Sequence, residues 1–264
     1  YNMNCNDNPK CEPGKNTNGA DEALTGYAVL CFLGAGYDHR VMSRYRKTVK
    51  KGIEWLVSQQ NDEGLIGRRN YEHPVATMAL AEAYAMSMDQ SLREPVQKAV
   101  NVILSRQVKS DGDVAYSGLG WDYVSPKISR MDSSITGWNV MALKSAKASG
   151  VDVENGLHGS KNWLVGAWKA ANPGWENLDP YATSVFPYTW DGASGATKKE
   201  HLSFVGSLCA VFLGFQTGDE ILDTLNNDMD KRWFDTGKYK NNSYCLYYAS
   251  LAAFQAGGIH WAEK

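Results

Sequence analysis

Runs of small, apolar, almost charge-free residues alternate along this chain with runs that are amphipathic and charged, and that alternation restricts the fold more than any other feature. The apolar runs are 23–36, 75–86, 134–150, 203–214 and 243–258. The charged runs are 46–60, 92–107, 154–171 and 218–234. In 46–60, Val49, Ile53, Leu56 and Val57 recur at three- and four-residue steps with Lys50, Lys51 and Glu54 opposite them, which predicts a helix with one buried stripe. Val96, Val100, Ile103 and Leu104 repeat the pattern in 92–107. The apolar runs have no polar stripe and so predict helices covered on most faces. Several stop at a glycine (Gly34 or Gly36, Gly150, Gly214, Gly257), the usual C-terminal cap. A helical hairpin repeated in this way hides its faces only by stacking on its neighbours. An inner layer of apolar helices inside an outer layer of charged ones, closed into a ring, gives the inner layer cover all round; an open solenoid is the alternative.

Residues 1–19 are rich in Asn, Pro and Gly, have no period and read as an irregular segment before a single domain over 20–264. Net charge is −2, and the longest basic cluster (Arg44, Arg46, Lys47, Lys50, Lys51) reads as a solvated helix face, so no nucleic-acid partner is expected. No apolar run reaches the ~20 residues of a membrane-spanning helix, and no signal peptide is visible. Cys5 and Cys11 lie close together in the polar N-terminal stretch, where a disulfide would favour an exported or periplasmic protein. Cys31, Cys209 and Cys245 fall inside apolar runs and are expected to be small buried hydrophobes.

At 51–66 the chain reads Lys51-Gly52, Trp55-Leu56, Gln60, Gly64 and Ile66, and a weaker copy follows as Lys98, Val102-Ile103, Gln107, Gly112 and Val114. This spacing resembles the repeated Gln-Trp motif of squalene and oxidosqualene cyclases, with Ile66 in place of the final Trp. The stretches 25–40, 73–86, 92–103, 132–150 and 247–261 resemble bacterial prenyltransferase/squalene-oxidase repeat proteins. The resemblance implies an all-α fold, an α/α-toroid of the terpenoid cyclase and prenyltransferase kind. In that family the motif's Gln caps an outer helix and ties neighbouring repeats together, a structural role.

The family's chemistry is less visible. The D-x-D-D acid of squalene-type cyclases is absent, and Ser129-Arg130-Met131-Asp132 matches at most one of its aspartates. Arg130 is expected to hold Asp132 ionised, the wrong state for an acid. The D-D-x-x-D magnesium motif and the thioester motif of complement-type toroids are absent. Where prenyltransferases place zinc ligands, this chain has Asn241 and Ser243; Cys245 with His260 supplies two ligands where a site needs three or four, so neither metal nor cofactor is expected.

Polar residues collect before the apolar helices. The candidate acid and base groups are Asp132, Glu72 with His73, and Glu200 with His201. Helix capping is the competing reading and accounts for Asp132 and Asn242 by itself. The candidate ligand-binding aromatics are Tyr71, Trp121, Trp138, Trp190, Tyr244 and Tyr247, which either fill the core or line a pocket for an apolar or glycan ligand. These readings point to a squalene cyclase/prenyltransferase-like protein of unproven activity, binding an apolar isoprenoid-type ligand in a central cavity. The alternatives are a non-catalytic exported binding module and a toroid glycosidase or lyase.

Overall fold

The structure, a computed structural model, describes residues 20–109, 118–123, 130–179, 181–192, 195–197, 202–232, 242–257 and 261. These residues are predominantly helical: nine α-helices and three two-residue strands. The helices are α1 (Asp21–Gly34), α2 (Arg46–Ser58), α3 (Glu72–Ser87), α4 (Arg93–Ser105), α5 (Ser133–Ala148), α6 (Gly156–Ala171), α7 (Ser203–Phe212), α8 (Glu220–Asp230) and α9 (Ser243–Ala256). Each apolar and each charged run of the sequence forms one of them. Of the capping glycines, Gly36, Gly150, Gly214 and Gly257 all take positive φ. The chain divides into two compact units, Tyr1–Ile103 with Ser145–Asp152, and Leu104–Lys144 with Val153–Lys264.

In the first unit, α1 packs on α3, and α2 packs on both. Gly26 lets α1 approach closely, since a Cβ there would lie 3.1 Å from the Val75 side chain and 3.2 Å from its carbonyl oxygen. The amphipathic helices behave as their pattern requires: Val49, Ile53 and Leu56 of α2 are buried, while Lys50 and Glu54 pair at 3.6 Å in solvent. On α4, Val96, Ala99, Val100 and Ile103 face inward. In the second unit, α7 packs on both α8 and α9. Strands β1 (Met131–Asp132), β2 (Thr189–Trp190) and β3 (Ala196–Thr197) form a small antiparallel sheet in that order. Its register pairs Met131 with Trp190 and Asp132 with Thr189. The core of this unit holds Trp121, Trp163, Trp168, Phe186 and Tyr248, all below 2% exposure.

The two copies of the glutamine motif do equivalent work. Gln60 Nε2 donates to the Gly64 carbonyl at 3.0 Å and to that of Pro95, in the first turn of α4, at 2.9 Å. Gln107 Nε2 donates to the Leu119 carbonyl at 2.7 Å and to that of Gly156, the first residue of α6, at 3.0 Å. Each amide thus joins the end of one charged helix to the start of the next. The glycines follow the same rule: a Cβ on Gly64 would sit 2.5 Å from the Lys98 carbonyl oxygen, and one on Gly159 2.5 Å from that of Gly118. Gly112 and Val114, which the motif spacing selects, lie outside the described residues; Gly118 is the glycine that packs on α6.

Two expectations need correction. Helices α3, α5 and α7 are covered on most faces, but α1 and α9 are not. Leu24 and Cys31 on α1, and Leu246 and Phe254 on α9, are exposed. An apolar composition reports that a helix can be covered, not that a neighbour covers it. Cys31 is accordingly a surface thiol, whereas Cys209 and Cys245 are buried as expected.

Candidate functional site

Among the candidate residues, Asp132, Trp121 and Trp190 come together at the start of α5. Asp132 is fully buried. Its backbone N–H donates to the Trp121 carbonyl at 2.8 Å, and β1 pairing sets its neighbour Met131 opposite Trp190. Trp190 gets its place from a glycine: a Cβ on Gly166 would lie 2.2 Å from the indole ring. Asp132 Oδ1 accepts from the backbone N–H groups of Ser134 (2.9 Å) and Ile135 (3.1 Å), the geometry of a helix N-cap. Capping therefore explains one oxygen and leaves the other. Oδ2 is buried with no well-formed hydrogen bond; its nearest cation is Arg130 Nη2 at 3.5 Å.

Arg130 is shared. Its Nη1 donates to both oxygens of Asp122, at 3.0 and 3.1 Å, and Asp122 is itself 3% exposed. The guanidinium is thus held chiefly by Asp122. Burial pushes the Asp132 carboxyl above its ordinary value, against the opposing effects of the Ile135 N–H, Arg130, the Ser134 N–H and the Tyr188 side chain. The direction is opposite to the one Arg130 alone would give: desolvation outweighs one cation whose better contacts go elsewhere.

A second group of candidates gathers further along α5. Trp138 stacks on Tyr247 with centroids 5.4 Å apart and meets Tyr248 edge-on at 5.3 Å. Tyr248 also lies 5.0 Å from Tyr244 and 6.1 Å from Phe204. Helices α5, α7 and α9 therefore converge on a cluster of five rings. Trp138 and Tyr248 are buried, while Tyr244 and Tyr247 keep part of their surface open. Six residues of helix separate Asp132 from Trp138, about 9 Å along the axis. Asn242 caps α9 through Oδ1, which accepts from Tyr244 N–H (3.1 Å) and Cys245 N–H (3.2 Å), so the tyrosines sit in the first turns of a fixed helix.

The remaining candidates divide. Glu72 and His73 do not form an acid-base pair. The Glu72 carboxylate is buried and held by Arg69, through its backbone N–H at 2.8 Å, its Nε at 2.7 Å and an ion pair from Nη2. His73 Nδ1 accepts from Ile66 N–H at 3.1 Å, which fixes the proton on Nε2, and Nε2 donates to the Ala99 carbonyl at 2.9 Å. Both ring nitrogens are thus committed to backbone, pinning α3 to α4 and to the turn after Gln60. Tyr71 bonds Tyr27 hydroxyl to hydroxyl at 3.1 Å in the first unit. Glu200, His201 and His260 lie outside the described residues, as do Cys5 and Cys11. Burial pushes the Cys245 thiol up to about 11, away from the thiolate a metal needs. Among the described residues no group of three or more His, Cys, Asp and Glu is placed to hold a metal ion, and no helix is long and apolar enough to cross a membrane.

Sequence reading missed Asp122 and Phe204 as members of these clusters. Asp122 had a signal, a carboxylate directly after Trp121 and eight residues before Arg130. Phe204 had none beyond its place in an apolar helix. No protein-family model matches the chain, and no curated protein matches it.

Proposed function

We propose that the chain is a squalene cyclase-like α/α-toroid of the prenyltransferase repeat kind, which holds an apolar isoprenoid-type ligand against the ring cluster of α5, α7 and α9. Asp132 is a buried protonatable group at the start of the helix that carries Trp138. The observation that carries this reading is the pairing of a buried carboxyl, one oxygen of which makes no well-formed hydrogen bond, with aromatic surface about 9 Å further along the same helix. Aromatic faces suit an apolar chain and stabilise positive charge developing on it. A carboxyl that burial makes hold its proton more tightly is the better suited to donate a hydrogen bond at the ligand's end.

The carbohydrate reading fares worse. A glycosidase needs two carboxyl groups facing an open cleft, and the Glu72 carboxylate is held by Arg69 and that of Asp122 by Arg130. The repeat-like use of Gln60 and Gln107 supports the ring of hairpins.

Titration with geranylgeraniol, followed by tryptophan fluorescence, tests the proposal. Saturable quenching is expected, weakened about tenfold in Tyr247→Leu, or about 1.4 kcal/mol. Absence of quenching, or equal binding by the variant, would sink the reading.

A further inference from the structure

The turn between α1 and α2 carries an exposed patch that plays no part in that reading. Val41 is 54% exposed and Met42 84%, two of the most exposed large apolar side chains among the described residues. The backbone beneath them is fixed. Asp38 Oδ1 accepts from the N–H groups of Arg40 (2.6 Å) and Val41 (2.7 Å), and Arg46 Nε donates to the His39 carbonyl at 3.3 Å. Tyr37 and Tyr45, both partly exposed, meet edge to face at 4.9 Å, and Tyr45 packs on Phe32 at 5.2 Å. Arg40 Nη1 reaches the Ser87 carbonyl at 3.2 Å, which brings the end of α3 to the same rim. There Met88, 59% exposed, leaves the helix with a left-handed φ of 53°. Apolar side chains grouped and held outward in this way mark a contact surface.

The exposed charge within this turn has one sign. Arg40, Arg44 and Arg46 alternate with the apolar tip and are all exposed. Arg40 and Arg46 bond backbone carbonyls and Arg44 lies over the Tyr45 ring at 4.6 Å, contacts that leave their charge uncompensated. The acids nearby are already engaged. Asp38 is 4% exposed and holds the turn, and Asp89 pairs with His39 at 2.9 Å. Glu54 pairs with Lys50 at 3.6 Å and stands eight residues further down α2 than Arg46, about 12 Å. A soluble polyanion would engage the arginines and leave Val41, Met42 and Met88 in water. A neutral apolar partner would strip water from the arginines without pairing them. A bilayer with anionic headgroups satisfies both sets at once: apolar tips enter the acyl boundary, arginines meet phosphates and tyrosines sit at the interface.

We infer that the α1/α2 turn is a peripheral docking surface for an anionic lipid bilayer, with Val41, Met42 and Met88 entering the interface and Arg40, Arg44 and Arg46 on lipid phosphates. The surface belongs to the first unit and stands or falls without the Asp132 reading.

Co-sedimentation of the whole chain with vesicles of equal parts phosphatidylglycerol and phosphatidylcholine tests this, with pure phosphatidylcholine vesicles alongside. Wild type should partition onto the mixed vesicles and about tenfold more weakly onto the neutral ones. Arg40→Gln with Arg44→Gln should weaken partitioning onto the mixed vesicles about tenfold. Val41→Ser with Met42→Ser should weaken it by a similar factor, about tenfold, through lost apolar burial. Both double variants should keep the wild-type urea midpoint, since the side chains they alter lie in solvent. No sedimentation with the mixed vesicles would overturn the inference, and so would equal binding to neutral vesicles. Binding that survives the arginine changes would overturn it too. So would binding that falls with the arginines yet is unchanged in Val41→Ser with Met42→Ser, which would assign the cations to a soluble polyanion.

Discussion

Gln60 and Gln107 make the same pair of hydrogen bonds, each from Nε2 to one loop carbonyl and to one carbonyl in the first turn of the next charged helix. A terminal amide is suited to this because it offers two N–H donors diverging from one nitrogen. The ends of these helices are therefore cross-linked by side chains.

Removing these amides should destabilise the chain unequally. Gln107 is 6% exposed, so Gln107→Ala strands the Leu119 carbonyl, removes one of the bonds to that of Gly156 and should cost roughly 1–3 kcal/mol. Gln60 is half-buried, water can replace part of what it provides, and Gln60→Ala should cost less. Urea unfolding of both variants checks the order.

His73→Ala should be among the more costly single changes, roughly 2–4 kcal/mol, because it orphans the Ile66 N–H, removes the second bond to the Ala99 carbonyl and opens a cavity. Hydrogen exchange at the Ile66 amide provides a local check: it should rise much more than exchange in the centre of α3.

The helices and the capping roles of Asp132 and Asn242 were legible in the sequence, since each depends on residues close in the chain; the glutamine bonds, which reach 35 and 49 residues along it, were legible only through the spacing of the motif. The direction of the Asp132 shift was not. Arg130 is two residues away and suggested an ionised acid, but the residue that draws the guanidinium off is Asp122, and the burial that dominates depends on Trp121 and on strands β1 and β2. Likewise the exposed sides of α1 and α9 depend on which neighbours exist, which composition does not encode.

The Asp132 carboxyl lies above its ordinary value, so the folded state binds its proton more tightly than the unfolded state does. Stability contributed by this group is therefore greatest at low pH and falls as pH rises from the unfolded value of 3.8 towards the folded one. Asp132→Asn keeps the capping oxygen and removes the buried charge, so its stability relative to wild type should improve with rising pH across that window. Asp122→Asn weakens the hold on Arg130, and the Asp132 midpoint, followed by carboxyl ¹³C resonance, should move down. Thermal melts at several pH values and the NMR titration check the two halves.

Asp89 behaves oppositely. Its hydrogen bond from His39, at 2.9 Å, is the main cause that lowers its carboxyl from 3.8 to about 2. The stabilisation is present above 3.8 and is lost as pH falls towards about 2. Asp89→Asn should destabilise at neutral pH, and the difference from wild type should shrink through that interval in pH-dependent urea unfolding.

The most direct test of the ligand surface at Asp132 is mass spectrometry of whatever small molecule accompanies the purified protein under native conditions, with wild type and Asp132→Asn prepared side by side. The account predicts an apolar isoprenoid-type compound bound to the wild type, and a reduced amount or a chemically different compound in the variant. A polar or glycan ligand, or the same isoprenoid retained equally by both proteins, would contradict it.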